Sequence, residues 1–341
     1  MNLGASGELF LELGIGLLPA LVFLGLLLLL DAYRLLSLRR IVMTLVAGYL
    51  SALVALALGR VLGATSGYDA VAGPLIAESL KAVVMIYLVR SHRVGFPIDT
   101  AVLGFAVGTG YMVATSTFGL GQGGGGGGGG GAGDWLLAGL GGALLHGTAT
   151  ALFALVFKAI QDRDTLPMGA AFVPGLLAAW GLHLAYLHTP VDPLLRAFVL
   201  LLVVSAGMPL LLRRSETSLR SWLHDRFDVE AEILEMIDTG VAAESPLGQY
   251  FEAVRERVEP TVAADMLCYL RIHLELSISA KGRLLLRDQG FKPQPPVDLE
   301  ERFEELSALE KTIGPTGRRA LAPLLHRSRR DLWQIHMLED A

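Results

Sequence analysis

Apolar runs long enough to cross a bilayer, separated by short polar connections, fill this chain as far as about Leu212, and none follows. A spanning helix takes about 20 mostly apolar residues. Seven segments meet that length: Glu12 to Leu30, Ile41 to Leu62, Ala70 to Val89, Ile98 to Phe118, Trp135 to Ile160, Met168 to His188 and Leu194 to Leu212. Hydrophobic residues make up 52% of the 341, too many for a soluble chain of this length, and their position before Leu212 assigns the excess to membrane spans. The expected fold class is all-α. Residues 1–214 form a polytopic membrane domain of about seven transmembrane helices, and residues 215–341 a cytoplasmic all-α domain.

Basic residues in the short connections set the orientation. Arg34, Arg39 and Arg40 follow the first segment, Arg90 and Arg93 the third, Lys158 and Arg163 the fifth, and Arg213 and Arg214 the seventh. The alternate connections hold only Arg60 and Arg196. This pattern puts the N-terminus outside and the C-terminal region in the cytoplasm. The start of the chain is not expected to be a signal peptide, because it carries Glu8 and Glu12 in place of a basic stretch. A net charge of −5 gives no reason to expect a nucleic-acid partner; the bilayer is the expected one. The single cysteine, Cys268, excludes an intrachain disulfide.

Small residues recur inside the membrane segments. Gly104 and Gly108 share a face of the fourth, and Ala138, Gly139, Gly141 and Gly142 crowd the fifth. In lipid such residues let helix backbones approach closely, so these two segments are expected to pack tightly. The unbroken run Gly123 to Gly131 reads as a flexible external loop without chemistry of its own. Beyond Ser215 the charged residues become dense. Amphipathic helices are expected over Asp228 to Asp238, Pro246 to Val258, Thr261 to Asp288 and Asp298 to Ile313, with a last one to about Leu338.

The polar residues inside the apolar segments carry any function. Glu78 and Lys81 lie three residues apart, so both leave the same face of a helix. An ionisable group at bilayer depth costs at least ~2.5–3.5 kcal/mol, so it faces the bundle interior and has a partner or a task. A salt bridge that holds helices together is one reading, and an intramembrane polar site is the other. Thr115 and Ser116 lie near the outer end of the fourth segment, His146 within the fifth before Thr148 and Thr150, and His183 within the sixth before His188. Two histidines and one glutamate from three segments suffice for a catalytic zinc with an open water position. Hydrogen bonding of each histidine to a neighbouring helix is the alternative.

Four stretches in order resemble the PrsW family of bacterial intramembrane proteases. Pro74-Leu-Ile-Ala-Glu-Ser-Leu-Lys81 is similar to its first motif, Glu-Glu-x-x-Lys. Gly108 to Ser116, with Tyr111, is similar to a second motif in which a glutamate follows an aromatic residue by four. His146-Gly-Thr-Ala-Thr-Ala-Leu-Phe153 and Pro174 to His188 are similar to the two histidine-bearing elements. The resemblance implies a multi-pass protein of the bacterial inner membrane that hydrolyses a peptide bond in a membrane-anchored protein such as an anti-sigma factor. It implies Glu78, Lys81, His146 and His183 as catalytic residues. In a metal-dependent version Glu78, His146 and His183 would hold the metal, with zinc as the cofactor. In a glutamic version the carboxylate would activate water. The chain departs from the motifs at three places: Ala77 stands for the first glutamate, Thr115 for the second-motif glutamate, and Leu187 for the asparagine or aspartate after the last histidine. These losses imply a weakened or inactive peptidase. The alternative is a non-catalytic membrane binding or scaffold protein that signals through its cytoplasmic domain.

Overall fold

A computed structural model describes residues 37–61, 71–117, 132–163, 167–240, 245–291 and 298–325, together with Leu18, Leu21, Val22, Gly25, Trp333 and Leu338. Among these residues there is no strand. The helices are α1 (Leu38–Val61), α2 (Gly73–Arg90), α3 (Pro97–Thr117), α4 (Ala132–Asp162), α5 (Met168–His188), α6 (Pro193–Thr239), α7 (Pro246–Arg255), α8 (Pro260–Asp288) and α9 (Leu299–Leu325). The chain divides into two compact units, Met1–Ser215 and Glu216–Ala341.

Among the described residues, five helices are long and apolar enough to cross a membrane: α1, α3, α4, α5 and α6. This is a helical membrane protein. Two of the seven expected segments are not in that set. The first, Glu12 to Leu30, lies outside the described residues except for Leu18, Leu21, Val22 and Gly25. The third is α2, whose 18 residues include Glu78, Lys81 and Arg90. Its buried residues are Pro74, Ala77, Glu78, Lys81, Ala82, Met85 and Val89, a stripe at helical spacing that turns both charges inward. Its opposite side exposes Val83 and Tyr87. The glycine run and the last helix to Leu338 also fall outside the described residues, apart from Trp333 and Leu338 themselves.

α3 is the axis of the first unit. Its residues from Asp99 to Met112 are all buried, as are Ala114 and Thr115. Its start is fixed from two sides. The Phe96 backbone N–H donates to the Asp99 carboxylate at 3.1 Å, and the Ile98 N–H donates to the Ser215 hydroxyl at 3.0 Å. Glycines then let the neighbouring backbones touch it. A Cβ on Gly48 of α1 would lie 2.0 Å from the Val107 carbonyl oxygen, and one on Gly110 would lie 2.0 Å from that of Leu45. On the other side, a Cβ on Gly104 would lie 2.9 Å from the Ala151 Cα, and one on Gly108 2.1 Å from the His146 carbonyl oxygen. So α3 is clasped between α1 and α4 at distances that only glycine permits. α4 in turn packs on α5, where Gly175 meets the Phe153 carbonyl.

The last apolar segment does not stop at Leu212. α6 continues to Thr239, so the separate helix expected over Asp228 to Asp238 is the end of a longer one. Residues 213–227 contain no glycine or proline to end a helix, and the change to charged residues alters its surroundings without breaking its backbone. In the second unit α8 is the central element. Its Lys281 ammonium is fully buried, 2.5 Å from a Glu230 carboxylate oxygen and 5.0 Å from the centre of the Trp222 ring. The Ser277 hydroxyl donates to the same carboxylate at 2.6 Å. Removing one partner of a buried ion pair strands the other and costs about 3–5 kcal/mol. Lys281→Met is therefore expected to cut the opening free energy of α8 by about 3 kcal/mol or more, read as lost amide hydrogen-exchange protection in the full chain. Protection within about 1 kcal/mol of the parent chain would count against that pair as a structural anchor. The helix expected to end at Ile313 does break there, because Gly314 has φ 61° and Pro315 follows it inside α9. Asp298 precedes α9 as expected, but its carboxylate accepts from the Arg302 guanidinium at 2.6 Å.

Candidate metal-binding site

Three helices bring four of the singled-out side chains together. α2 supplies Glu78 and Lys81 one turn apart, α4 supplies His146, and α5 supplies His183. The Lys81 ammonium donates to Glu78 Oε1 at 2.7 Å. His183 Nδ1 lies 2.7 Å from the same oxygen. A carboxylate beside an ammonium accepts, so Nδ1 of His183 carries a hydrogen toward it. The other ring nitrogen, Nε2, is buried and has no hydrogen-bond partner among the described residues. Lys81 Nζ is also 3.4 Å from His146 Nδ1. An ammonium has no lone pair, so here the imidazole accepts and its hydrogen is on Nε2. The two imidazole rings meet edge to face, 5.1 Å between centroids.

The surroundings explain how the helices hold this register. Gly108 lets α3 touch the backbone of His146 itself. The Thr150 hydroxyl donates to the His146 carbonyl oxygen at 2.8 Å. Trp180 lies one turn before His183, and its indole N–H donates to the Val71 carbonyl at 3.2 Å, tying α5 to the entry of α2. Exposures of 2% for Glu78, 0% for Lys81 and 2% for His183 place these three inside the unit, while His146 is partly buried.

The other singled-out residues do not join. His188 is exposed at the end of α5. The Thr115 hydroxyl is spent on the Met112 carbonyl of its own helix, at 2.9 Å. Ala77 packs in an apolar cluster with Ala52, Tyr111 and Ala114. Leu187 is partly buried one turn beyond His183. Tyr111 was singled out only as the aromatic position of the second motif. Its ring centre lies 5.0 Å from that of His146 and 5.2 Å from the Lys81 ammonium, so it forms a wall of the site. Its place in that motif, four residues before Thr115, was the available signal.

The donor set fits a divalent metal. One ligand atom from each of Glu78, His146 and His183 lies within 4.8 Å of the others, and this is the one such cluster found among the described residues. Two imidazoles and a carboxylate form a known catalytic zinc set that leaves a fourth position open. The partnerless His183 Nε2 points the same way, since a buried polar atom left unpaired costs about 1–3 kcal/mol.

A family model for PrsW family intramembrane metalloproteases matches residues 34–212. No curated protein and no solved structure matches the chain. The matched region holds the whole of the cluster and more than half of the chain. On this match, which covers every helix that contributes to the site, the chain belongs to the PrsW family of intramembrane metalloproteases.

Proposed function

We propose that this protein hydrolyses a peptide bond in a membrane-anchored protein at the Glu78–His146–His183 cluster, more slowly than a family member with all motif residues. The observation that supports this is the convergence of a buried glutamate and two histidines from three helices of one apolar unit. Glu78, His146 and His183 would hold zinc. When bound, zinc lowers the pKa of a water to about 7 and polarises a carbonyl. The chain's own residues do the rest. Lys81 balances the Glu78 charge, and the α1–α3–α4 clasp keeps His146 in register. The surrounding apolar helices restrict water to the site.

The reduced rate follows from what stands at the three departures. A general base contributes typically about 10²–10⁴-fold. The Thr115 hydroxyl cannot serve as a carboxylate and is bonded to its own backbone, and Ala77 sits in an apolar cluster. Glu78 is then the one carboxylate of the cluster, already engaged by Lys81 and His183. The same observation favours a second reading, a non-catalytic binding or scaffold protein that retains a membrane segment and signals through residues 215–341. In both readings α2 and the Glu12 to Leu30 segment complete seven spans, with the N-terminus outside and the C-terminal region in the cytoplasm of a bacterial inner membrane.

The experiment is cleavage of a labelled single-span reporter peptide library in proteoliposomes, read by mass spectrometry. The full chain is expected to give slow, site-specific cuts that vanish in His146→Ala. Equal cutting by His146→Ala removes the peptidase reading of this cluster. No cutting by the parent chain, with retained binding of a membrane segment, establishes the scaffold reading.

A further inference from the structure

We propose that Lys81 is a tethered cation that competes with a divalent metal for Glu78 and His146, so that the position of the Lys81 ammonium gates metal entry. This rests on the metal reading of the cluster. Lys81 Nζ contacts two of the three candidate ligands, Glu78 Oε1 at 2.7 Å and His146 Nδ1 at 3.4 Å. The lone pair of His146 Nδ1 is therefore turned toward a cation that is already there. Glu78 Oε1 accepts from both Lys81 and His183, so the Lys81 bond occupies a lone pair that a metal at that oxygen would need.

The lysine cannot leave the neighbourhood. It stands one turn from Glu78 on the same helix, and its side chain is fully buried. An ammonium and a dication bound to the same carboxylate repel strongly where water does not screen them. The ammonium must therefore move off these two atoms when metal enters. In its present position it also lies 5.2 Å from the centre of the Tyr111 ring, so a cation–π contact adds to what holds it on Glu78 and His146. With the ammonium on Glu78 and His146 the site is closed to metal. With the ammonium moved off them it is open. The gate works by displacement of the charged side chain.

The test is equilibrium zinc titration of the full-length chain in detergent against a chelating dye, with thermal melting as a check on folding. Lys81→Met is expected to bind zinc at least about tenfold more tightly than the parent chain, because the competitor and its charge are gone. Lys81→Arg, which keeps the charge, is expected to bind no more tightly than the parent. Tyr111→Leu, which removes the cation–π contact that helps to hold the ammonium in the closed position, is expected to bind zinc more tightly than the parent, and it tests the idea even if Lys81→Met does not fold. Adding His146→Ala and His183→Ala to Lys81→Met is expected to abolish binding. Equal zinc affinity in the parent, Lys81→Met and Tyr111→Leu overturns the gate while leaving the metal site intact. Absence of zinc from every variant overturns both the gate and the metal reading.

Discussion

Glu78→Gln is expected to lower reporter cleavage by about a hundredfold or more, and also to lower the melting temperature of the protein in detergent. The loss of cleavage has a simple cause. Glu78 is the one carboxylate in the cluster, and an amide does not ligate a metal as an anion. The loss of stability comes from Lys81, which would be left as a buried ammonium without its counter-charge. Breaking a buried pair from one side costs about 3–5 kcal/mol. The two effects can be separated. In Glu78→Gln/Lys81→Met the stranded charge is gone, so most of the melting temperature should return while cleavage stays lost. If cleavage returns along with stability, Glu78 acts only as an ion-pair partner that holds helices together.

Gly108→Ala is expected to do comparable damage from a residue that makes no side-chain contact at all. Its new methyl group would lie 2.1 Å from the His146 carbonyl oxygen, 2.4 Å from the His146 carbonyl carbon and 2.6 Å from the Gly147 nitrogen. All three are backbone atoms, so no rotamer change relieves the clash, and α3 and α4 must separate by more than an ångström. Overpacking of this kind costs about 1–3 kcal/mol. The larger effect is on His146, which moves with α4 away from Glu78 on α2. Misplacing a reacting group by about 1 Å costs on the order of a hundredfold in rate. Gly142→Ala is the control, because its methyl group would meet only the flexible Met112 side chain, at 3.2 Å. Gly181→Ala on α5 meets nothing within 4 Å and should be silent. If Gly108→Ala retains full cleavage and stability, the clasp of α3 against α4 does not set the site.

Much of the helical layout was legible in the sequence because spanning length and glycine or proline breaks act locally. The ends of α8 and of the first part of α9 follow from such signals at Gly290 and Gly314-Pro315. α6 outruns the segment expected to end at Leu212, because a change of composition at Ser215 is not a change of element. The backbone there has no reason to stop. The pairing of Glu78 with Lys81 was legible from their spacing, since residues one turn apart on a helix face the same way. Whether Glu78 turned to the lysine or to the histidines was not, because that depends on which faces α2 and α5 present to each other. The structure gives both at one oxygen. The wall formed by Tyr111 and the contact at Gly108 were not legible either. α3 is buried on almost every side, so its apolar pattern has no periodicity to show which face meets α4.

The measurement that tests most directly whether Glu78, His146 and His183 act as one site is zinc stoichiometry of the purified full chain. It is read by elemental analysis after equilibration with excess zinc and removal of the unbound metal, beside a His146→Ala/His183→Ala chain. The account predicts about one zinc per parent chain and none in the double variant, as expected of a site with three protein ligands. Equal zinc in both chains, or none in either, would contradict it.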